Sequence, residues 1–146
     1  MTKRSVIAMG ILALAFLAAA QQSQTSRTLK VKLNYTGSGT VDEKHKIFVF
    51  LFDSPDFMQG NGMPIASGSA TAKDQTVTIS GISASPVYVV AAFDPSGGYD
   101  GTSGPPPQGS SMGLYSVEPG KPAPVSIEGG KTVQVELKFD DAFKMQ

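Results

Sequence analysis

The sequence predicts an all-β protein, an antiparallel β-sandwich of seven to eight strands with Ig-like architecture. Two apolar runs, 46–53 and 87–93, consist almost entirely of β-branched, aromatic and other apolar residues, a composition that favours strands. Other apolar segments alternate with polar residues at a period of two, as half-buried strands do. Gly- and Pro-rich turns separate these segments, and no segment after residue 20 shows sustained helical periodicity. Short strands at this spacing are typical of a sandwich.

The first two strands have different patterns of burial. In the segment 28–37, apolar residues alternate with lysine and asparagine, which predicts one buried and one solvated face. The run 46–53 is apolar on both faces, with Phe48, Phe50 and Phe52 on one side and Ile47, Val49 and Leu51 on the other. Such a strand belongs in the middle of a sheet that is covered on both sides. We therefore expect a loop or a partner to cover its aromatic face.

The remaining elements follow in chain order. Segment 54–64 is predicted to be a loop that opens with a type I turn at 53–56, and the small, polar segment 65–73 a weak strand at a sheet edge. Strands around Val77 and Ile79 and at 87–93 come next, then a long loop, a short extended piece at 114–115, and two β-rich runs ending at Phe139. The Gly129–Gly130 pair between those runs predicts a β-hairpin.

The first twenty residues predict export. Lys3 and Arg4 precede an apolar run, 6–17, and three alanines end it before a Gln-rich segment, which is the pattern of a secretory signal peptide. We predict cleavage between Ala20 and Gln21, a disordered segment 21–27, and one domain over 28–146. The mature protein would be periplasmic or secreted, without a stable membrane anchor. A retained N-terminal anchor helix is the alternative.

Composition excludes several classes of function. The chain has no cysteine and a single histidine, His45, so disulfides, thiolate zinc sites, thiol nucleophiles and multi-histidine metal sites are excluded. It carries 12 basic and 12 acidic residues, and loss of Lys3 and Arg4 leaves a slight acidic excess. That balance argues against a nucleic-acid partner, which needs a phosphate-neutralising surface.

One part of the chain resembles a known family. The stretch Val77-Thr78-Ile79-Ser80-Gly81-Ile82, followed by Pro86-Val87-Tyr88-Val89-Val90-Ala91-Ala92-Phe93-Asp94, is similar to the strand, turn and strand of carboxypeptidase regulatory-like domains. The resemblance implies a transthyretin-like (prealbumin-like) seven-stranded sandwich over about Thr28 to Phe139. Members serve mostly as accessory or adhesive modules and share no catalytic residues. This chain departs from the family by the long loop that follows Phe93.

The long loop, 94–113, is the candidate functional segment, because structureless loops longer than about 12–15 residues in compact domains tend to be functional or disordered. Asp94, Ser96 and Asp100 place oxygen ligands at short spacing in a Gly-rich turn, which suits a hard cation such as calcium. Alternatively, Asp94 and Ser96 bond their own turn backbone. No other cofactor is required.

Two features inside this loop concern its rigidity and contacts. Pro105 to Pro107 favours an extended segment that stiffens the loop or enters a partner's groove. Tyr99, Met112 and Tyr115 dock the loop onto the sandwich or contact a ligand; docking is the preferred interpretation.

Other acidic residues are expected near the long loop. If strands alternate in direction, the connections 36–45, at Asp74 and after Phe93 lie at one end of the sandwich, and Asp42, Glu43 and Asp74 join Asp94 there. Asp42 and Glu43 beside His45 could also supply a general base, although a charged connection is usually a solvated turn.

These observations predict an exported, non-catalytic binding or structural module. Its partner would be a protein or glycan of the cell envelope, contacted through the long loop. One alternative is an envelope assembly subunit that adds its edge strand, 65–73, to a neighbouring chain. Another is a carboxylate-based hydrolase, which needs two acids facing each other across a cleft.

Overall fold

A computed structural model describes residues 26–146, which form seven β-strands in two sheets around one hydrophobic core. The strands are β1 (Arg27–Tyr35), β2 (Ile47–Phe52), β3 (Ala66–Ala70), β4 (Thr76–Ile82), β5 (Tyr88–Phe93), β6 (Ser111–Leu114) and β7 (Thr132–Phe139). The all-β, sandwich-like prediction is confirmed at this level. The predicted signal peptide and its cleavage site lie outside the described residues. Strand β1 begins at Arg27, inside the segment expected to be disordered.

The three-stranded sheet has the order β4-β1-β7, with the long strand β1 in its centre. Strand β1 pairs antiparallel with β4 but parallel with β7, so the prediction of a wholly antiparallel fold is wrong. The two parallel strands stand at opposite ends of the domain sequence. A period-two pattern determines which face of a strand is buried, but it carries no information on the direction of a partner so distant in the chain.

The four-stranded sheet has the order β3-β2-β5-β6, and every neighbouring pair in it is antiparallel. The predicted edge position of the small, polar strand β3 is confirmed. Strand β2 lies inside the sheet, as its two apolar faces require. Strand β6 already begins at Ser111, so the long loop ends at Ser110 rather than at Gly113.

The predicted hairpin about Gly129–Gly130 does not form. The turn exists, since the Lys131 N–H donates to the Glu128 carbonyl over 3.0 Å. Val125, however, bridges Val87 beside the start of β5, whereas β7 pairs with β1. The turn therefore connects the two sheets instead of two neighbouring strands. A turn sequence predicts that the chain reverses direction. The strands with which the two flanking segments pair depend on packing in the core.

The C-terminal segment after β7 crosses to the other sheet and pairs with β6. Ser111 forms an antiparallel bridge with Lys144, and the Met112 N–H donates to the Phe143 carbonyl over 2.9 Å. Where β6 faces β7, Gly113 is required, because a Cβ there would meet Phe139 at 2.7 Å. The tail thus covers the edge of β6, which sequence patterns did not indicate.

One short 3₁₀ helix, Pro55–Gln59, replaces the expected type I turn after β2. The Ser54 hydroxyl accepts a hydrogen bond from the Asp56 N–H over 3.2 Å and so caps its first turn. Within residues 26–146 there is no helix with the length and apolar character needed to cross a membrane.

Candidate functional site

Three connections meet at one end of the sandwich, as predicted: 36–46, 71–75 and the long loop, 94–110. The Tyr35 N–H donates to the Lys73 carbonyl over 3.0 Å, and the Lys73 ammonium donates to the Gly37 carbonyl over 2.7 Å. On the other sheet, Ile47 pairs with Phe93, and the Tyr35 and Phe93 rings are 5.0 Å apart. The end of β5, where the long loop begins, therefore belongs to this cluster of connections.

The expected group of acidic side chains is not assembled at this end. In the region from residue 26 to residue 146, no three His, Asp or Glu side chains lie close enough to hold a metal ion. Asp42 instead accepts hydrogen bonds from the Lys44 N–H at 2.9 Å and the His45 N–H at 2.8 Å. Its carboxylate also lies 2.8 Å from His45 Nδ1, and this contact lowers the pKa of Asp42. The acid–histidine pair thus caps its own turn.

Asp94 organises the first half of the long loop. It follows β5 directly, is only 6% exposed, and accepts hydrogen bonds from the Ser96 N–H at 2.9 Å, the Ser96 hydroxyl at 2.7 Å and the Tyr99 N–H at 3.1 Å. Burial acts to raise the pKa of Asp94, but the bonds from Ser96 and Tyr99 outweigh it and lower the pKa. A buried carboxylate with several such donors holds its turn in one conformation.

Asp100 organises the second half in the same way, although it is exposed. Its Oδ1 accepts hydrogen bonds from the Thr102 N–H at 2.8 Å and from the N–H and hydroxyl of Ser103, both at 3.0 Å. The bonds from Thr102 and Ser103 lower the pKa of Asp100 to about 2. The loop therefore consists of two consecutive turns, each built around one aspartate.

The three predicted metal ligands are accordingly divided between two turns. Asp94 and Ser96 contact each other, whereas Asp100 bonds only to residues that follow it. The alternative interpretation, that Asp94 and Ser96 bond their own turn, describes the bonds observed. Calcium binding stays a prediction.

Tyr99 fixes the long loop to the outer face of the four-stranded sheet, which confirms the predicted docking for this residue. Its ring packs edge-on against Phe48, with centroids 5.2 Å apart, and lies 6.3 Å from Phe50. Its hydroxyl donates to the Gly104 carbonyl over 2.8 Å. Gly101 also crosses Phe48 so closely that a Cβ would approach the ring to 2.6 Å. The loop thus covers the aromatic face of β2 at Phe48 and beside Phe50.

At Phe52, the same face is covered by the 3₁₀ helix, whose Phe57 ring stacks on the Phe52 ring with centroids 4.5 Å apart. Phe50, between the two covers, is only 4% exposed. The prediction that both faces of β2 are covered is therefore confirmed.

The other two docking candidates do not belong to the loop. Met112 lies in β6, and Tyr115 packs against the core. The prolines of the long loop border a shallow recess of about 360 Å³, lined by Asp94, Ser96, Gly98, Tyr99, Ser103, Pro105 and Pro107. Pro105 and Pro107 are exposed, as are Thr102, Ser103 and Gln108.

A second polar cluster at the same end was missed by sequence reasoning. Asp141 accepts hydrogen bonds from the Tyr35 hydroxyl at 2.5 Å, the Ser111 hydroxyl at 2.7 Å and the Ser38 N–H at 2.9 Å. These donors, above all Tyr35, hold the pKa of Asp141 well below its usual range. Asp140 and Asp141 directly follow the last predicted strand, where charged side chains are usually solvated, so sequence patterns did not single out Asp141. The cluster joins β1, β6 and the C-terminal segment.

No protein-family description, curated protein or solved structure matches this chain.

Proposed function

We propose that this chain is an exported, non-catalytic binding module, a transthyretin-like sandwich whose partner-contacting surface is the long loop, 94–110. The observation that carries the proposal is the construction of that loop. Asp94 and Asp100 each tie down one turn through three or more hydrogen bonds, and Tyr99 anchors the junction between the turns to Phe48.

Such a loop has little conformational freedom left to lose when a partner binds. Ordering a flexible loop costs free energy that reduces affinity, and preorganisation removes much of this cost. Loops held by a rigid scaffold are common locations of binding residues. The contact of Tyr99 with Phe48 covers β2, whereas the two aspartate-centred turns hold the rest of the loop in one conformation.

The exposed side chains of the loop indicate the class of partner. Thr102, Ser103 and Gln108 offer hydroxyl and amide groups, and Pro105 and Pro107 add rigid apolar surface. These groups suit a protein segment or a glycan, which bind through hydrogen bonds and apolar contacts. Cell-envelope proteins or glycans are the partners that export would make available.

The test separates binding from folding by changing only exposed loop residues. The test variant combines Pro105→Ala, Pro107→Ala and Gln108→Ala, which are exposed and whose side chains take no part in the bonds to Asp94 or Asp100. Its unfolding midpoint is measured first. The control combines Pro124→Ala and Ser126→Ala, which are exposed. They flank Val125, which bridges Val87 beside the start of β5, whereas the long loop follows the other end of that strand.

Purified wild type, test variant and control are assayed against isolated envelope glycans and envelope protein fractions. We expect saturable binding by the wild type and control, and at least a tenfold loss for the test variant at an unchanged unfolding midpoint. Equal binding by all three, or no saturable binding by the wild type, would contradict the proposal.

Calcium is a second component of this proposal. If it binds, Asp94, Ser96 and Asp100 would supply its ligands, and the metal would stiffen the loop further. The measurement is the melting temperature in calcium and in chelator.

A further inference from the structure

The outer edge of β7 is an unpaired strand edge. Strand β7 lies at the end of its sheet and pairs only with β1. The Lys131 carbonyl accepts a hydrogen bond from the Thr28 N–H at 3.1 Å, and the Phe139 carbonyl accepts one from the Thr36 N–H at 3.0 Å. In a parallel ladder, the N–H and C=O of alternate residues point to opposite sides of the strand. The odd-numbered residues of β7 therefore bond to β1, and the even-numbered residues point away from it.

Within residues 26–146, no hydrogen bond outside the β1 ladder reaches the backbone of Gln134, Glu136 or Lys138. The neighbouring edge of β6 differs, because the C-terminal segment covers it through the bond between Met112 and Phe143. An open edge of this kind is a template for another strand.

A recess of about 250 Å³ lies beside this edge, between Leu114–Ser116 at the end of β6 and Glu136–Lys138 of β7. A strand added to β7 would extend the three-stranded sheet beside this recess, and it would form backbone hydrogen bonds with the even-numbered residues of β7.

We propose that the strand added at this edge is β7 of a second copy of this chain, paired antiparallel about a two-fold axis at Leu137. The charges on the edge select this occupant and this register. In such a pairing, Glu136 lies opposite Lys138 of the second copy, and Lys138 lies opposite its Glu136. Two-fold symmetry makes the favourable pair occur twice.

The neighbouring registers are less favourable. An axis at Glu136 would place two carboxylates directly opposite each other, and an axis at Lys138 would do the same with two ammonium groups. Like charges directly opposite each other destabilise a strand pair. Glu136 and Lys138 form an ion pair within β7 at 3.6 Å, and their side chains are 52% and 70% exposed. An exposed pair of this kind contributes little to stability, so both side chains can exchange it for partners on a facing strand. Lys138 also disfavours strands that lack a facing carboxylate.

The test is a charge exchange, with the self-association of the exported protein measured by sedimentation equilibrium over a range of concentrations. We expect a monomer–dimer equilibrium for the wild type. Glu136→Lys and Lys138→Glu each convert two attractive pairs into two repulsive pairs, so each should raise the dimer dissociation constant about tenfold or more. The double variant Glu136→Lys with Lys138→Glu should restore the wild-type value.

Two controls keep the result specific to β7. Lys30→Glu makes the same charge change as Lys138→Glu on the central strand of the same sheet and should leave the dissociation constant unchanged. Unfolding midpoints of all variants show whether each remains folded, which is expected because both side chains are exposed.

Three outcomes overturn the proposal. The first is a wild type that remains monomeric at every concentration, which would leave the edge to a different strand. The second is a dimer that neither single variant weakens, and the third is a double variant that fails to restore association.

Discussion

Removal of the Asp141 carboxylate tests the cluster of hydrogen bonds that joins β1, β6 and the C-terminal segment. Asp141→Ala deletes the acceptor of four hydrogen bonds, from the Tyr35 hydroxyl, the Ser111 hydroxyl, and the N–H and hydroxyl of Ser38. These bonds join three segments that are distant in sequence. The C-terminal segment would then be held by its pairing with β6 and by the backbone bonds of Met145 to Gly109 and Ser110.

The magnitude depends on which donors water can reach. Ser38 is exposed, so water replaces its lost partner at little cost. Tyr35 and Ser111 are 3% and 2% exposed, and an orphaned buried donor costs about 1–3 kcal/mol. The Tyr35 and Ser111 hydroxyls bond the same carboxylate oxygen, Oδ1 of Asp141, so they can turn toward each other once it is removed, which would recover part of the loss. We therefore expect Asp141→Ala to lower the free energy of unfolding by about 2–4 kcal/mol.

The assay is urea unfolding at neutral pH, with Asp140→Ala as the matched control. Asp140 is the exposed neighbour and accepts only one local bond, from the Ala142 N–H at 2.8 Å, so its removal should cost less than about 0.5 kcal/mol. A double-mutant cycle with Tyr35→Phe should show coupling between the two side chains. If Asp141→Ala costs no more than Asp140→Ala, the reasoning from buried donors is refuted.

Further predictions concern pH, packing, export and calcium. Because the folded-state pKa of Asp141 is lowered, its contribution to stability is complete above about pH 4 and is lost as pH falls toward the folded-state pKa; Asp141→Asn should therefore flatten the acid part of a stability–pH curve, and an unchanged slope would contradict this. Phe50→Ala should cost about 3–5 kcal/mol in urea unfolding, and a cost below roughly 1 kcal/mol would show that its face of β2 is open. Intact-mass analysis of the exported protein should give a chain that begins at Gln21, and a chain that begins at Met1 would indicate an anchor. Calcium at a hundredfold excess over the dissociation constant should raise the free energy of unfolding of the wild type by about 2.7 kcal/mol and so raise its melting temperature, but not that of Asp94→Asn with Asp100→Asn. Equal melting of the wild type with calcium and with chelator would exclude the site.

The sequence by itself determined the burial of each strand. The alternation of apolar and polar residues in β1 predicted one buried and one solvated face, and both appear. The doubly apolar run at β2 predicted a central strand covered on both sides, and Tyr99 and Phe57 provide the cover. The small residues of β3 predicted an edge. These features are local, because the side-chain period of a strand depends only on its own backbone.

In the candidate site, the sequence determined composition but not contacts. It identified the long loop and Tyr99 as its docking residue, and it offered both a cation and a backbone-capping role for Asp94. The bonds of Asp94 and Asp100 belong to two separate turns, which depends on the path of the backbone. Asp141 was not recognised, since its partners, Tyr35 and Ser111, lie far away in the chain.

Strand partners and directions were decided only by the tertiary structure. The turn at Gly129–Gly130 forms as its residues predict, yet its two arms enter different sheets, and β7 pairs parallel with β1 instead of returning along its neighbour. A turn sequence constrains a few dihedral angles, whereas the choice of partner depends on which arrangement buries the apolar faces of all strands at once. That choice is a property of the whole core, so no single segment contains it.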